Sequence, residues 1–152
     1  GEQRSNLCDL SLRVPAIVRW PQKIKAGIMV EETIESIDWF PTILAMTGIK
    51  KPENLILTGD NALPLLEGEE VKWNNDLFAQ YKTLRTYRTP EWKLIVDFGA
   101  IDKDEFYDLG KDPGEMENLI SDDQLQYLNK REEVERYMLK KMWQIDDPLI
   151  IK

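Results

Sequence analysis

Residues 105–119 read EFYDLGKDPGEMENL. The first five, Glu105-Phe106-Tyr107-Asp108-Leu109, alternate polar with large apolar side chains, the pattern of a half-buried strand. Asp112-Pro113-Gly114-Glu115 then spells a tight turn. Pro113 presets its own φ, Gly114 tolerates positive φ, and the Asp112 carboxylate is placed to accept from backbone N–H groups ahead of it. If Gly114 takes positive φ, Gly114→Val is expected to cost about 1 kcal/mol or more. A charged helical pattern follows. A strand end, a turn and a helix approach thus fall within one short stretch, and the fold grows from it in both directions.

Upstream, period-2 alternation marks Leu77–Tyr81, Leu84–Arg88 and residues 92–98, with Thr89-Pro90-Glu91 as the link between the last two. Strands joined by such short turns pair antiparallel. Downstream, Ser121 or Asp122 is expected to cap a helix whose apolar stripe is Leu125, Leu128, Val134, Met138, Met142 and Ile145. Acidic Asp122 and Asp123 at its start and Lys140 and Lys141 near its end suit the helix dipole, and Asp146-Asp147-Pro148 stops it. Further upstream, residues 12–20 (LRVPAIVRW) read as a strand and residues 28–34 as a second extended segment. A short helix is expected between Asp38 as N-cap and Gly48 at C′, with Pro41 in its first turn. Trp39, Phe40, Ile43, Leu44 and Met46 leave that helix little polar face, so it is expected to be buried. Residues 62–66 (ALPLL) read as a helical turn ending at Gly68. The fold class is α+β. Residues 1–68 read as the end of a larger α/β body, and residues 69–152 as a small antiparallel sheet of about four strands covered by a C-terminal amphipathic helix.

The 152-residue chain, 42% hydrophobic and 32% charged, has the composition of a globular protein. Its formal net charge of −8 argues against a nucleic-acid partner, which rewards clustered Lys and Arg. No apolar run approaches the length of a membrane span, and residues 1–6 lack the apolar core of a signal peptide. One cysteine, Cys8, excludes an internal disulfide. The absence of histidine removes the commonest general base and metal ligand, and with it Ser-His, Cys-His and His-metal sites.

Three stretches resemble the type I (formylglycine) sulfatases of the alkaline phosphatase-like superfamily. Ser11-Leu12-Arg13-Val14-Pro15 is similar to that family's S-x-R-V-P segment. Asp38-Trp39-Phe40-Pro41-Thr42-Ile43-Leu44 through Gly48-Ile49 is similar to its D-x-x-P-T-L-L-x-x-x-G-I helix, with Leu63-Pro64-Leu65-Leu66-Glu67-Gly68 following at the family's distance. Arg85-Thr86, Trp92-Lys93-Leu94, Tyr107-Asp108-Leu109 and Asp112-Pro113-Gly114-Glu115 through Asn118-Leu119 resemble the family's R-T, y-K-L, Y-D-L and D-P-x-E-x-x-N-L ending.

The resemblance implies the C-terminal portion of a sulfuric ester hydrolase. It implies as partner an N-terminal catalytic part carrying the nucleophile and a site for calcium or another divalent cation, a sulfated small molecule or glycan as substrate, and a periplasmic, extracellular or lysosomal location. The abrupt start at Gly1-Glu2-Gln3 is expected of a piece of a longer protein. The family's nucleophile arises by oxidation within C/S-x-P/A-x-R. Cys8 is followed by Asp9-Leu10-Ser11-Leu12 and does not fit, so no catalytic residue, metal ligand or cofactor is expected on this chain and it should be inactive alone. Arg4 aligns with the family's sulfate-binding Lys, Cys8 with its Tyr and Asp9 with its Glu. Arg4 keeps the charge of that Lys without its compact point-charge geometry. Trp73, in a polar loop beside Asn74 and Asn75, is a candidate substrate contact. Asp102, Asp104, Asp108 and Asp112 lack EF-hand spacing and read as turn and cap acceptors. Two other classes fit less well: a stand-alone module binding glycans or a protein, and a piece of a related phosphoesterase.

Overall fold

The computed structural model describes residues 7–150, which fall into two compact units, one formed by residues 7–14 with 76–150 and the other by residues 15–75. The first unit is built on four strands, β1 (Leu77–Tyr81), β2 (Leu84–Arg88), β3 (Trp92–Asp97) and β4 (Glu105–Asp108), in the order β1-β2-β3-β4. Every neighbouring pair is antiparallel, with Tyr87 opposite Leu94 and Leu94 opposite Phe106. The long helix after the sheet runs from Leu125 to Gln144 and packs on one face. Its Val134, Met138 and Met142 meet Leu94, Phe106 and Leu119 in the main core, with Trp92 stacked on Phe106 at 5.3 Å. Alternation turns Ile95 and Tyr107 to the opposite face, where they pack with Leu7 and Leu109. Both sheet faces are therefore covered.

The stretch at 105–119 forms the strand end, turn and helix approach that its sequence predicts, but β4 is covered on both faces instead of half-buried, with Phe106, Tyr107 and Asp108 all buried. Asp112 Oδ2 accepts from the N–H groups of Met116 and Glu117, at 2.6 and 2.8 Å. Asn118 extends the sheet edge: its Oδ1 accepts from Phe106 N at 2.9 Å, and Leu119 N donates to the Phe106 carbonyl at 2.8 Å. The positive φ, however, falls on Glu115 (φ 55°) and not on Gly114. A Cβ at Gly114 would meet Met116 and Asp112 only at ordinary contact distances, so the conformational cost expected for Gly114→Val does not arise there. The long helix also starts later than expected. Its N-cap is Gln124, and Asp122 instead accepts from Gln124 N at 2.9 Å just ahead of it.

The expected strands at residues 12–20 and 28–34 are absent; among the described residues the chain has no strand before Leu77. A four-residue helix, α1 (Asp9–Leu12), precedes an irregular run. The β-branched residues there have no strand to pair with, and an unpaired strand is not stable. The helix α2 (Trp39–Thr47) ends at Gly48 (φ 69°) as expected, and α3 (Leu63–Glu67) ends at Gly68 (φ 81°). Asp38 occupies the N-cap position of α2 as expected, but its side chain makes no capping bond to that helix. It lies in a preceding 3-10 turn, where its carboxylate accepts from Glu35 N at 2.7 Å and Asp60 N at 2.8 Å. Nor is α2 buried: Phe40 and Ile43 are each 52% exposed, and its one buried residue is Thr42. Thr42 Oγ1 donates to the Asp38 carbonyl at 2.6 Å and accepts from Ala62 N at 2.8 Å, which ties α2 to the start of α3.

Gly59 is the glycine the 15–75 unit cannot replace. A Cβ there would overlap the backbone of Ile37 and Asp38, and backbone atoms cannot step aside as a flexible side chain can. Gly59→Ala is expected to destabilise the chain by about 2 kcal/mol, the scale of overpacking, read as a lowered urea midpoint. An unchanged midpoint would mean that residues 37 and 59 do not approach this closely.

Candidate functional site

The densest chemistry in the chain lies on the sheet face opposite the long helix. Antiparallel register sets Arg88 of β2 directly across from Lys93 of β3. Two like charges facing each other across strands repel, and Lys93 is moreover fully buried. Asp9, at the start of α1, resolves the conflict by bridging them. Its Oδ2 accepts from Arg88 Nε at 3.0 Å and its Oδ1 from Lys93 Nζ at 2.9 Å. The Lys93 ammonium also donates to Glu115 Oε1 at 2.7 Å. The backbone N–H of Asp9 lies 3.2 and 3.1 Å from the two Glu115 carboxylate oxygens. Two cations meet two carboxylates, so the group is neutral as a whole. Glu115 reaches it from the left-handed conformation noted above, a strained backbone that its buried carboxylate contacts hold in place.

Titration in this cluster follows its neighbours. Burial works against the Asp9 carboxylate, but the Lys93 ammonium and Arg88 guanidinium outweigh it and hold its pKa below the ordinary value. Cys8 is pushed the other way, by burial first and then by the Glu115 carboxylate. Tyr107, donating to Glu105 Oε2 at 2.8 Å, is likewise raised, by burial and then by that carboxylate. These are not the shifts of a nucleophile, since thiolate and phenolate are both disfavoured. Cys8 should therefore react with a thiol reagent near pH 8 more slowly than an unstructured cysteine thiol, and at the ordinary rate once urea unfolds the chain. Equal rates in the two states would contradict the burial of the thiol beside Glu115. What the cluster does chemically is hold three distant parts of the sequence together: residues 8–9, the paired strands β2 and β3, and the turn at residue 115.

Of the two substrate-contact candidates, Arg4 lies outside the described residues. Trp73 is half-buried, and its indole N–H donates to the Thr33 carbonyl at 2.8 Å. It lines a concavity of about 550 Å³ together with Asp60, Asn61, Pro64, Val71, Lys72 and Asn74. Among the described residues no group of three or more His, Cys, Asp or Glu is placed to hold a metal ion. Asp108 accepts from Lys111 N and pairs with the Lys111 ammonium, and Asp104 accepts from Asp97 N, so these carboxylates serve the turns. Sequence reasoning assigns no role to Lys93 or Glu115, and none to Asp9 beyond its alignment with a family Glu. The one local signal for the cluster is Lys93 itself, a lysine between Trp92 and Leu94 at an inward strand position, which demands a carboxylate partner.

The family described as N-sulphoglucosamine sulphohydrolase, C-terminal, matches residues 3–145. The chain is 34% identical over 143 residues to an uncharacterized sulfatase, YidJ, of Escherichia coli K12, a match covering 90% of this chain and 27% of that protein. It is 30% identical over 150 residues to an N-acetylglucosamine-6-O-sulfatase of Bacteroides thetaiotaomicron, covering 90% of this chain and 26% of the relative. A solved structure in complex with its substrate D-glucosamine-2-N,6-O-disulfate superposes with a TM-score of 0.69 at 27% identity, over 90% of this chain and 30% of the other. The chain thus spans about a quarter of the length of the two curated relatives.

Proposed function

Because the chain belongs to the C-terminal family of N-sulphoglucosamine sulphohydrolases, we propose that it is the C-terminal portion of a sulfatase that hydrolyses the sulfate of a sulfated saccharide. The observation that carries this reading is the family match through residues 3–145, together with alignments that cover 90% of this chain and about a quarter of two sulfatases. The relative named for N-acetylglucosamine 6-O-sulfate and the structure holding a disulfated glucosamine support an amino sugar as the substrate class. The partner is the N-terminal catalytic part, which would supply the formylglycine nucleophile and the divalent cation, calcium or another, that polarises the sulfate.

The 15–75 unit supports such a partner. Ile17 is 95% and Met29 83% exposed, and Phe40 and Ile43 stand half out of α2. Exposed apolar side chains at this density suit the edge of a larger body. In the parent, this chain's contribution would be to hold the segment at residues 8–9 on the sheet through Lys93 and Glu115.

The test is reconstitution. Expressed alone with calcium, the chain should release no product from an aryl sulfate, and joined to its N-terminal catalytic part it should do so. Metal-dependent turnover by the isolated chain would overturn the inactivity. An N-terminally completed protein that cleaves neither aryl sulfates nor sulfated amino sugars would overturn the sulfatase reading.

A further inference from the structure

We propose that the concavity beside α3 is a binding subsite for the pyranose ring of a sulfated saccharide, with Trp73 as its platform. Its volume of about 550 Å³ lies in the range of roughly 300–1,000 Å³ typical of small-molecule sites. Two lining segments are held in advance. On one side the Trp73 indole N–H donates to the Thr33 carbonyl at 2.8 Å, and Thr33 N–H in turn donates to Asn75 Oδ1 at 2.9 Å. On the other, the start of α3 is held by the Thr42–Ala62 bond and by Asn61 Oδ1 accepting from Leu63 N at 3.0 Å. Segments held in this way spare a ligand the ordering cost that a mobile loop would add.

The lining chemistry selects the ligand class. The polar edge of the Trp73 indole is already engaged by Thr33, so the side chain offers a ligand chiefly apolar ring surface. Around it stand a carboxylate (Asp60), two carboxamides (Asn61, Asn74) and one ammonium (Lys72). A pyranose presents that combination in reverse: an apolar C–H face, hydroxyls that donate to a carboxylate and exchange bonds with amides, and one anionic substituent for a single lysine. A purely apolar ligand would desolvate Asp60 and Lys72 without recompense. A polyphosphate would find one cation beside a carboxylate. The sulfated character of the ligand rests on the reading of the parent as a saccharide sulfatase; the ring platform does not.

The experiment follows the Trp73 indole N–H resonance of the 152-residue chain by NMR, assigned with Trp73→Phe, during titration with glucosamine 6-sulfate, glucosamine and inorganic sulfate. The expected result is a saturable shift in the millimolar range with both sugars and none with inorganic sulfate. Lys72→Gln should weaken the sulfated sugar roughly tenfold, as loss of a charge-assisted hydrogen bond would, and leave glucosamine unchanged. No saturable shift with either sugar overturns the subsite, as does a response to inorganic sulfate equal to that of the sulfated sugar. In the completed enzyme Lys72→Gln should raise KM with kcat preserved. Turnover of glucosamine 6-sulfate without any shift at Trp73 would sink the subsite and leave the sulfatase reading standing. Binding at Trp73 in a completed protein without turnover would do the reverse.

Discussion

Lys93→Met is expected to destabilise the chain by about 3–5 kcal/mol, the cost of removing one partner from a buried ion pair. With a urea dependence of roughly 1–3 kcal/mol per molar, that is a midpoint lowered by about 2 M. The large effect comes from the carboxylates stranded without their cation, more than from the attraction that the ammonium itself provides. Methionine fills much of the lysine's volume beside Ile95 and Tyr107, so packing suffers little. Asp9 and Glu115, however, would face each other with their common ammonium gone and only Arg88 remaining, on the Asp9 side. The charge argument can be separated from packing by the triple variant Lys93→Met, Asp9→Asn, Glu115→Gln, which has no buried carboxylate to strand. It should recover a substantial part of the stability. If the triple variant is no more stable than Lys93→Met alone, the damage lies in shape and the electrostatic account fails.

The same residues show which features a sequence can and cannot reveal. The four strands fall where alternation puts them because large apolar side chains such as Phe78, Tyr87, Leu94 and Phe106 face the helix, while the other face carries charged residues such as Arg88 and Lys93, covered but paired. The long helix is legible for the same reason, and Met138 and Met142 on its stripe are fully buried. The N-terminal third misleads because several of its apolar residues stand exposed in this chain. Val14, Ile17, Phe40 and Ile43 carry the marks of strand and buried helix, yet they stand exposed, and a pattern states only that a side chain is apolar, not which body covers it. The ionic cluster is illegible for another reason. Asp9 and Lys93 are 84 positions apart, and no local spacing links them; only the register of β2 on β3 brings Arg88 and Lys93 opposite each other and creates the need for Asp9. Likewise, a proline-glycine turn permits positive φ at glycine, but here tertiary contacts at Glu115 determine which residue takes it.

A second buried pair should govern the acid limb of stability. Asp147, just beyond the long helix, accepts from Arg85 Nε at 2.6 Å and from Arg85 Nη2 at 2.9 Å, both side chains almost wholly buried. The remaining Arg85 nitrogen donates to the Lys82 and Leu84 carbonyls, each at 2.8 Å, and Asp147 Oδ1 also accepts from Leu149 N at 2.9 Å. This bidentate pair fixes the end of the helix to β2, as Lys93 fixes residues 8–9 to β3 on the other face. Asp147→Ala should cost about 3–5 kcal/mol because it strands a buried guanidinium. The pairing with Arg85 holds the Asp147 pKa below its ordinary value of 3.8. The sign follows from linkage. Below the ordinary value the unfolded chain binds the proton more readily than the folded one, so protons favour unfolding. The stabilisation is complete above about pH 4 and is lost as pH falls through the depressed folded-state pKa. Urea midpoints should therefore fall for the native chain as pH drops below about 4. They should fall less steeply for Asp147→Asn, which cannot titrate there; the slope that survives belongs to groups such as Asp9, depressed in the same direction by Lys93 and Arg88. Identical slopes in the two proteins would show that the Asp147 carboxylate does not gain its stability from Arg85.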